Sequence, residues 1–143
     1  MQNNPFAWLA THSYAYPLLE AAHVVGIALL LGSLVLFELR VWGLGAALPI
    51  DALGRLALPL TLAGFALAAT TGALMFASQP ADLLANRVFL IKLGLVSLAG
   101  LNAALFHGRG GSARIDTMAR VQTLVSIGIW LAVILCGRWI AYA

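Results

Sequence analysis

Glu20 and His23 stand three residues apart in otherwise apolar sequence, so on a helix their side chains project from one face. An ionisable group in hydrocarbon costs about 3 kcal/mol even on lenient insertion scales, and it survives where it faces a bundle interior, a partner or a ligand. A carboxylate and an imidazole at this spacing can do three kinds of chemistry. They can hold a metal ion, as Glu-x-x-His motifs do in helical proteins, where the motifs come in pairs; here the motif occurs once. They can relay a proton, because imidazole titrates near neutrality. The imidazole of His23 can also serve as an axial ligand of a b-type haem.

The elements that carry these groups follow from composition. With 62% hydrophobic and only 9% charged residues in 143, the chain lies far from soluble domains, which carry about a quarter charged residues. A helix needs about 20 apolar residues to cross the hydrocarbon core. Four segments qualify: Pro17 to Phe37, Leu56 to Phe76, Val88 to Phe106 and Val121 to Ile140. The alternating ten-residue segments of a β-barrel are absent. The expected fold is therefore all-α, a single integral membrane four-helix bundle over residues 1–143, with connections too short to hold a second domain.

No basic region precedes the first segment, and Glu20 and His23 interrupt it, so it reads as a retained span rather than a signal peptide. Basic residues set the orientation. Arg40, Arg55, Arg109, Arg114 and Arg120 fall in or beside the first and third connections, against Arg87, Lys92 and Arg138 on the opposite side. The positive-inside rule then places both termini on the non-cytoplasmic side of a bacterial inner membrane. The sequence pI near 9.6 is accounted for by loops beside anionic lipid, so the expected contact is the bilayer and not nucleic acid.

Two polar layers result. The outer one holds Glu20, His23, Lys92 and Arg138; the cytoplasmic one holds Glu38, Arg40, Asn102 and His107 near helix ends, where Arg40 and His107 can snorkel to the headgroups. For a haem b, His23 is the first ligand, and Lys92 and Arg138 would pair the propionates. His107 cannot join His23 on one iron, since their depths differ by roughly 20 Å. The second ligand is then Met75, at matching depth, or His12, if the segment before Pro17 folds back. For a metal ion the candidates are His23 and Glu20, and no second outer histidine of the bundle or Cys pair completes the set.

Local signals mark the ends of the elements. Pro17 suits a first helical turn, Asp51 is expected to cap a short interfacial turn before Pro59, and Asp116 to cap the fourth helix. Phe6, Trp8, Tyr14 and Tyr16 supply an interfacial aromatic belt. Small residues at fourfold spacing, among them Ala22 and Gly26, Gly64 and Ala68, Gly100 and Ala104, and Gly128 and Ala132, let helix backbones approach closely. They point to a homo-oligomer or a membrane-complex partner as well as to packing within the chain.

The strings Tyr16-Pro17-x-x-Glu20-x-x-His23-x-x-Gly26, Glu38-Leu39-Arg40, Asn86-x-x-Phe89-x-x-Lys92 and Gly137-Arg138-Trp139-Ile140-Ala141-Tyr142, with Thr71-Gly72, Asn102 and His107, carry a resemblance. The chain resembles an uncharacterised family of small bacterial four-helix inner-membrane proteins, a domain of unknown function. In architecture it is also similar to four-helix membrane cytochromes b and copper-resistance membrane domains. The cytochromes usually carry paired histidines for two haems, and three histidines cannot make four ligands. Three functional readings stand open: a haem-binding or quinone-linked electron-transfer subunit, a non-catalytic structural or assembly subunit held by Glu20, His23, Lys92 and Arg138, and a metal or proton pathway through Glu20 and His23.

Overall fold

The computed structural model describes residues 3–142 of the chain, apart from the side chain of Ser112. Among these residues every regular element is helical, in the order α1 Trp8–Thr11, α2 Ala15–Val41, α3 Ile50–Ser78, α4 Pro80–Ala85, α5 Arg87–Gly108 and α6 Thr117–Trp139. Helices α2, α3 and α5, and α6 with the 3-10 turn that follows it, are long and apolar enough to cross a membrane, with mean hydropathies of 2.2, 1.7, 1.9 and 2.0. Their outward faces carry large apolar side chains, including Leu18, Val24, Leu62, Leu98 and Leu131. A soluble monomer rarely shows contiguous apolar patches above a few hundred Å², so such faces suit hydrocarbon as the solvent.

Contacts divide the chain into two compact units. The first comprises the chain up to Leu34 and Leu58–Ala85; the second comprises Val35–Ala57 and Asn86–Ala143.

In the first unit the body of α2 packs on α3 through glycine. A Cβ added at Gly26 would lie 2.7 Å from the backbone nitrogen of Ala68, and one added at Gly64 would lie 2.5 Å from that of Leu30. The two backbones are thus in van der Waals contact, an approach only glycine allows. Ser33 Oγ, 2.6 Å from Thr61 Oγ1, adds a hydroxyl pair between the same helices. The segment before α2 also joins this unit: Asn4 Nδ2 donates to the Ala77 carbonyl at 2.8 Å, and Gln79 Nε2 donates to the Tyr16 hydroxyl at 2.8 Å. Of the expected aromatic belt, Phe6, Trp8 and Tyr14 are exposed while Tyr16 is spent on this bond.

In the second unit α5 and α6 pack around Ala99, Ile129 and Val133, flanked by Leu95, Val96 and Trp130. Phe37 meets Phe106 edge to face at 6.2 Å. The heads of α5 and α6 are capped by polar side chains, Asp116 as the sequence suggests and Asn86 in addition. Asn86 accepts from the N–H groups of Val88 and Phe89 and donates to the Ile140 carbonyl, which ties the head of α5 to the end of α6. Asp116 accepts from Ala119 N–H at the head of α6. Helix α2 stops at Gly43, whose φ of +96° takes the left-handed conformation that suits a helix terminus.

One expectation changes. Asp51 does not cap a separate turn before Pro59; it lies in the first turn of α3, which runs unbroken through Pro59. Proline removes one donor from a helix interior, a loss of about 3 kcal/mol in isolation. Packing through Gly64 and Ala68 further along the helix offsets it.

Candidate functional site

The polar residues singled out by sequence fall into two sets with different environments. In the first unit, His23 faces α3. Its Nδ1 lies 2.8 Å from the Ala68 carbonyl and 3.1 Å from Thr71 Oγ1. A carbonyl only accepts, so Nδ1 carries the proton and donates it. Thr71 sends its own hydrogen back to the Leu67 and Ala68 carbonyls, which leaves its oxygen as the second acceptor. In a neutral ring the lone pair is then on Nε2. The Cε1 edge of the ring lies 3.3 Å from the place where a Cβ on Gly72 would stand, so Gly72 makes the room in which the His23 ring meets α3.

Glu20, one turn earlier on α2, is exposed, as is His12 in the turn before that helix. His12 Nδ1 accepts from the N–H groups of Tyr14 and Ala15 at 3.2 Å each, so its lone pair caps the start of α2. Met75 lies one turn beyond Thr71 on the same face of α3 and is half-buried. The α2 and α3 backbones touch at Gly26 and Gly64, one turn from His23, and no porphyrin-wide slot opens between these two helices there.

In the second unit, Lys92 is half-buried on α5, with Nζ 3.3 Å from where a Cβ on Gly137 of α6 would sit. Arg138 is exposed, reaches the Tyr142 hydroxyl at 3.4 Å and lies over that ring at 5.7 Å. The other polar layer of the sequence reading holds the most buried ionisable side chain of the described residues. Glu38 is 3% exposed, is hydrogen-bonded by Ser126 of α6, and leaves Oε2 without a hydrogen-bond partner. Around it Trp42 Nε1 donates to Thr123 Oγ1 at 2.7 Å, and Arg120 lies over the Trp42 ring at 5.8 Å. Asn102 Nδ2 donates to the Gln122 carbonyl at 2.9 Å, and Arg109 links Gln122 Oε1 to Asp116.

Arg40 turns away to the Leu48 carbonyl, donating from Nε at 2.7 Å and closing the loop after α2. His107 is exposed, edge-on to Phe106 at 5.2 Å. Outside the spans, Asp116 accepts from Ala119 N–H and from Arg109 and lies beside Arg114, and these partners hold its carboxyl below the ordinary value. Glu20 and Glu38 are eighteen residues apart and share a helical face, yet one is exposed and the other buried. Sequence reasoning passed over Gln122, Thr123 and Ser126. Their signal is polar residues at three- and four-residue spacing in the first turns of an otherwise apolar helix.

Among the described residues no three His, Cys, Asp or Glu side chains converge as a metal-binding group. The imidazole at His23 is an interhelical clasp with a ligand-type nitrogen, and the carboxyl at Glu38 is a buried acid in a polar cluster. No family model, curated protein or solved structure matches the chain.

Proposed function

We propose that the chain is a small multi-pass protein of the bacterial inner membrane, with both termini outside the cytoplasm, that works as a non-catalytic structural or assembly subunit of a membrane complex. The observation that carries this reading is the use made of His23. Its Nδ1 proton is spent on the Ala68 carbonyl where glycines bring α2 and α3 into backbone contact, so the residue best suited to chemistry secures a helix pair. Interhelical hydrogen bonds of this kind contribute about 0.6 kcal/mol on average in membrane proteins, and more where the geometry is good. The small residues Gly94, Gly100 and Gly128 support an assembly role, because a Cβ at each would meet nothing within 4 Å. Close approach there is available to a further helix, from a second copy or another subunit.

A second reading is favoured by the same hydrogen bond. Donation from Nδ1 to a backbone carbonyl is the bond that orients the ring of a ligating imidazole. His23 then holds a b-type haem on the flank of the first unit, in a protein that exchanges electrons with a quinone. The second ligand would be Met75, one turn beyond Thr71 on α3, or His12, or a residue of another subunit.

The visible spectrum of the protein purified after expression with ample haem separates the two. The structural reading expects a colourless protein that copurifies with a partner or a second copy; a Soret band lost in His23→Ala would replace it with the haem reading. Orientation is tested separately, by a reporter at the C terminus that is active only when exported. Activity of a cytoplasm-dependent reporter at the same position would reverse the assignment.

A further inference from the structure

The packing around Glu38 has no part in the clasp at His23. The residue is 3% exposed, within a helix long enough to cross the membrane, and its buried Oε2 has no hydrogen-bond partner among the described residues. Among the described residues no cation forms a salt bridge with it. On its own helix Arg40 is committed to the Leu48 carbonyl. At the start of α3, Asp51 and Arg55 are exposed; at the end of α5, His107 is exposed and Arg109 is committed to Asp116 and Gln122. On α6, Arg120 lies over the Trp42 ring. A carboxylate buried without a counter-ion or a full set of donors is far more costly than the neutral acid, which carries its own donor.

The polar side chains of α6 give this acid a way out. Ser126 meets the carboxyl, Gln122 and Thr123 follow one turn below, and Arg109 joins Gln122 to Asp116 at the head of the helix. The ten steps from Asp116 to Ser126 rise about 15 Å along the helix, so the stripe runs from the loop after α5 into the span. We propose that Glu38 is a proton-binding site within the spanning part of the protein, exchanging its proton with the α5–α6 loop along the stripe of Ser126, Gln122 and Asp116. The exchange is a transfer of one proton between the carboxyl and water at the loop, with no redox change.

The chain has only two glutamates, Glu20 and Glu38, which makes the site directly readable. In a Glu20→Gln protein made with 13C-carboxyl glutamate and reconstituted in lipid vesicles, infrared spectroscopy sees Glu38 alone. A protonated-acid carbonyl band is expected at neutral pH, moving to lower frequency on transfer to D2O and to higher frequency in Ser126→Ala, which removes a hydrogen bond. Gln122→Leu should slow the D2O shift severalfold. Carboxylate bands alone at neutral pH would overturn the proposal. So would an acid band that never shifts in D2O, or one that sodium ions abolish, since the site would then be sealed or would bind a cation instead. An unchanged exchange rate in Gln122→Leu would overturn the route.

Discussion

Gly64→Ala is the sharpest perturbation of the packing that positions His23. The new Cβ would stand 2.5 Å from Leu30 N and 2.7 Å from the Gly26 carbonyl oxygen. Carbon contacts settle near 3.5 to 4.0 Å, so the helices must part by roughly 1 Å. The His23 Nδ1 to Ala68 oxygen distance of 2.8 Å would then approach 3.8 Å, beyond hydrogen-bonding range. Overpacking costs about 1–3 kcal/mol and the lost hydrogen bond about 1 kcal/mol, against a gain near 1 kcal/mol from the better helix propensity of alanine. The net loss is about 1–3 kcal/mol. Gly32→Ala on α2 is the control, because nothing lies within 4 Å of its Cβ position; it should be neutral or gain up to about 1 kcal/mol. Unfolding titrations in mixed micelles, followed by circular dichroism, compare the two. Equal stability of Gly64→Ala and Gly32→Ala would refute the backbone contact.

Asp116 gives a pH dependence whose sign is fixed. Its folded-state carboxyl titrates below the ordinary 3.8, so its contribution is present above that value and is lost as pH falls through the depressed one. Asp116→Asn should remove that acid-side loss of stability, measured by thermal melts between neutral pH and pH 3; an unchanged acid limb would contradict the role given to Arg109 and Ala119. In the polar cluster of the second unit, Trp42→Phe and Thr123→Val each break the bond between Trp42 Nε1 and Thr123 Oγ1. The double variant should lose about 1 kcal/mol less than the sum of the singles, and strict additivity in a double-mutant cycle would mean the bond contributes nothing.

Much of the fold is legible in the sequence because the period and length of apolar segments dominate it. The four expected spans lie within or largely overlap α2, α3, α5 and α6, and Asp116 caps α6 as expected, while the cap that Asn86 gives α5 went unread. The unbroken course of α3 through Pro59 is not legible, since a local helix breaker outweighs, in any local reading, the packing further along. Gly26, Gly64 and Ala68 announce close packing by their spacing, but spacing alone does not say that their partners are each other. The candidate site was legible by residue type and not by environment. His23 and Glu20 share a helical face, yet one meets a carbonyl across α3 and the other is exposed. Arg40 and Glu38 lie two residues apart near a helix end, and sequence gives no sign that the carboxyl is buried while the guanidinium closes a loop.

The role given to His23 rests on one proton. Nitrogen-15 NMR of histidine-labelled protein in lipid bilayers reads it, and the chain supplies its own contrast, since His12 uses Nδ1 as an acceptor for Tyr14 and Ala15 while His23 uses Nδ1 as a donor to Ala68. At neutral pH the resonances of His23, assigned by their loss in His23→Asn, should show a protonated Nδ1 and an unprotonated Nε2, with His12 the reverse. A His23 ring protonated on Nε2 alone would contradict the clasp between α2 and α3.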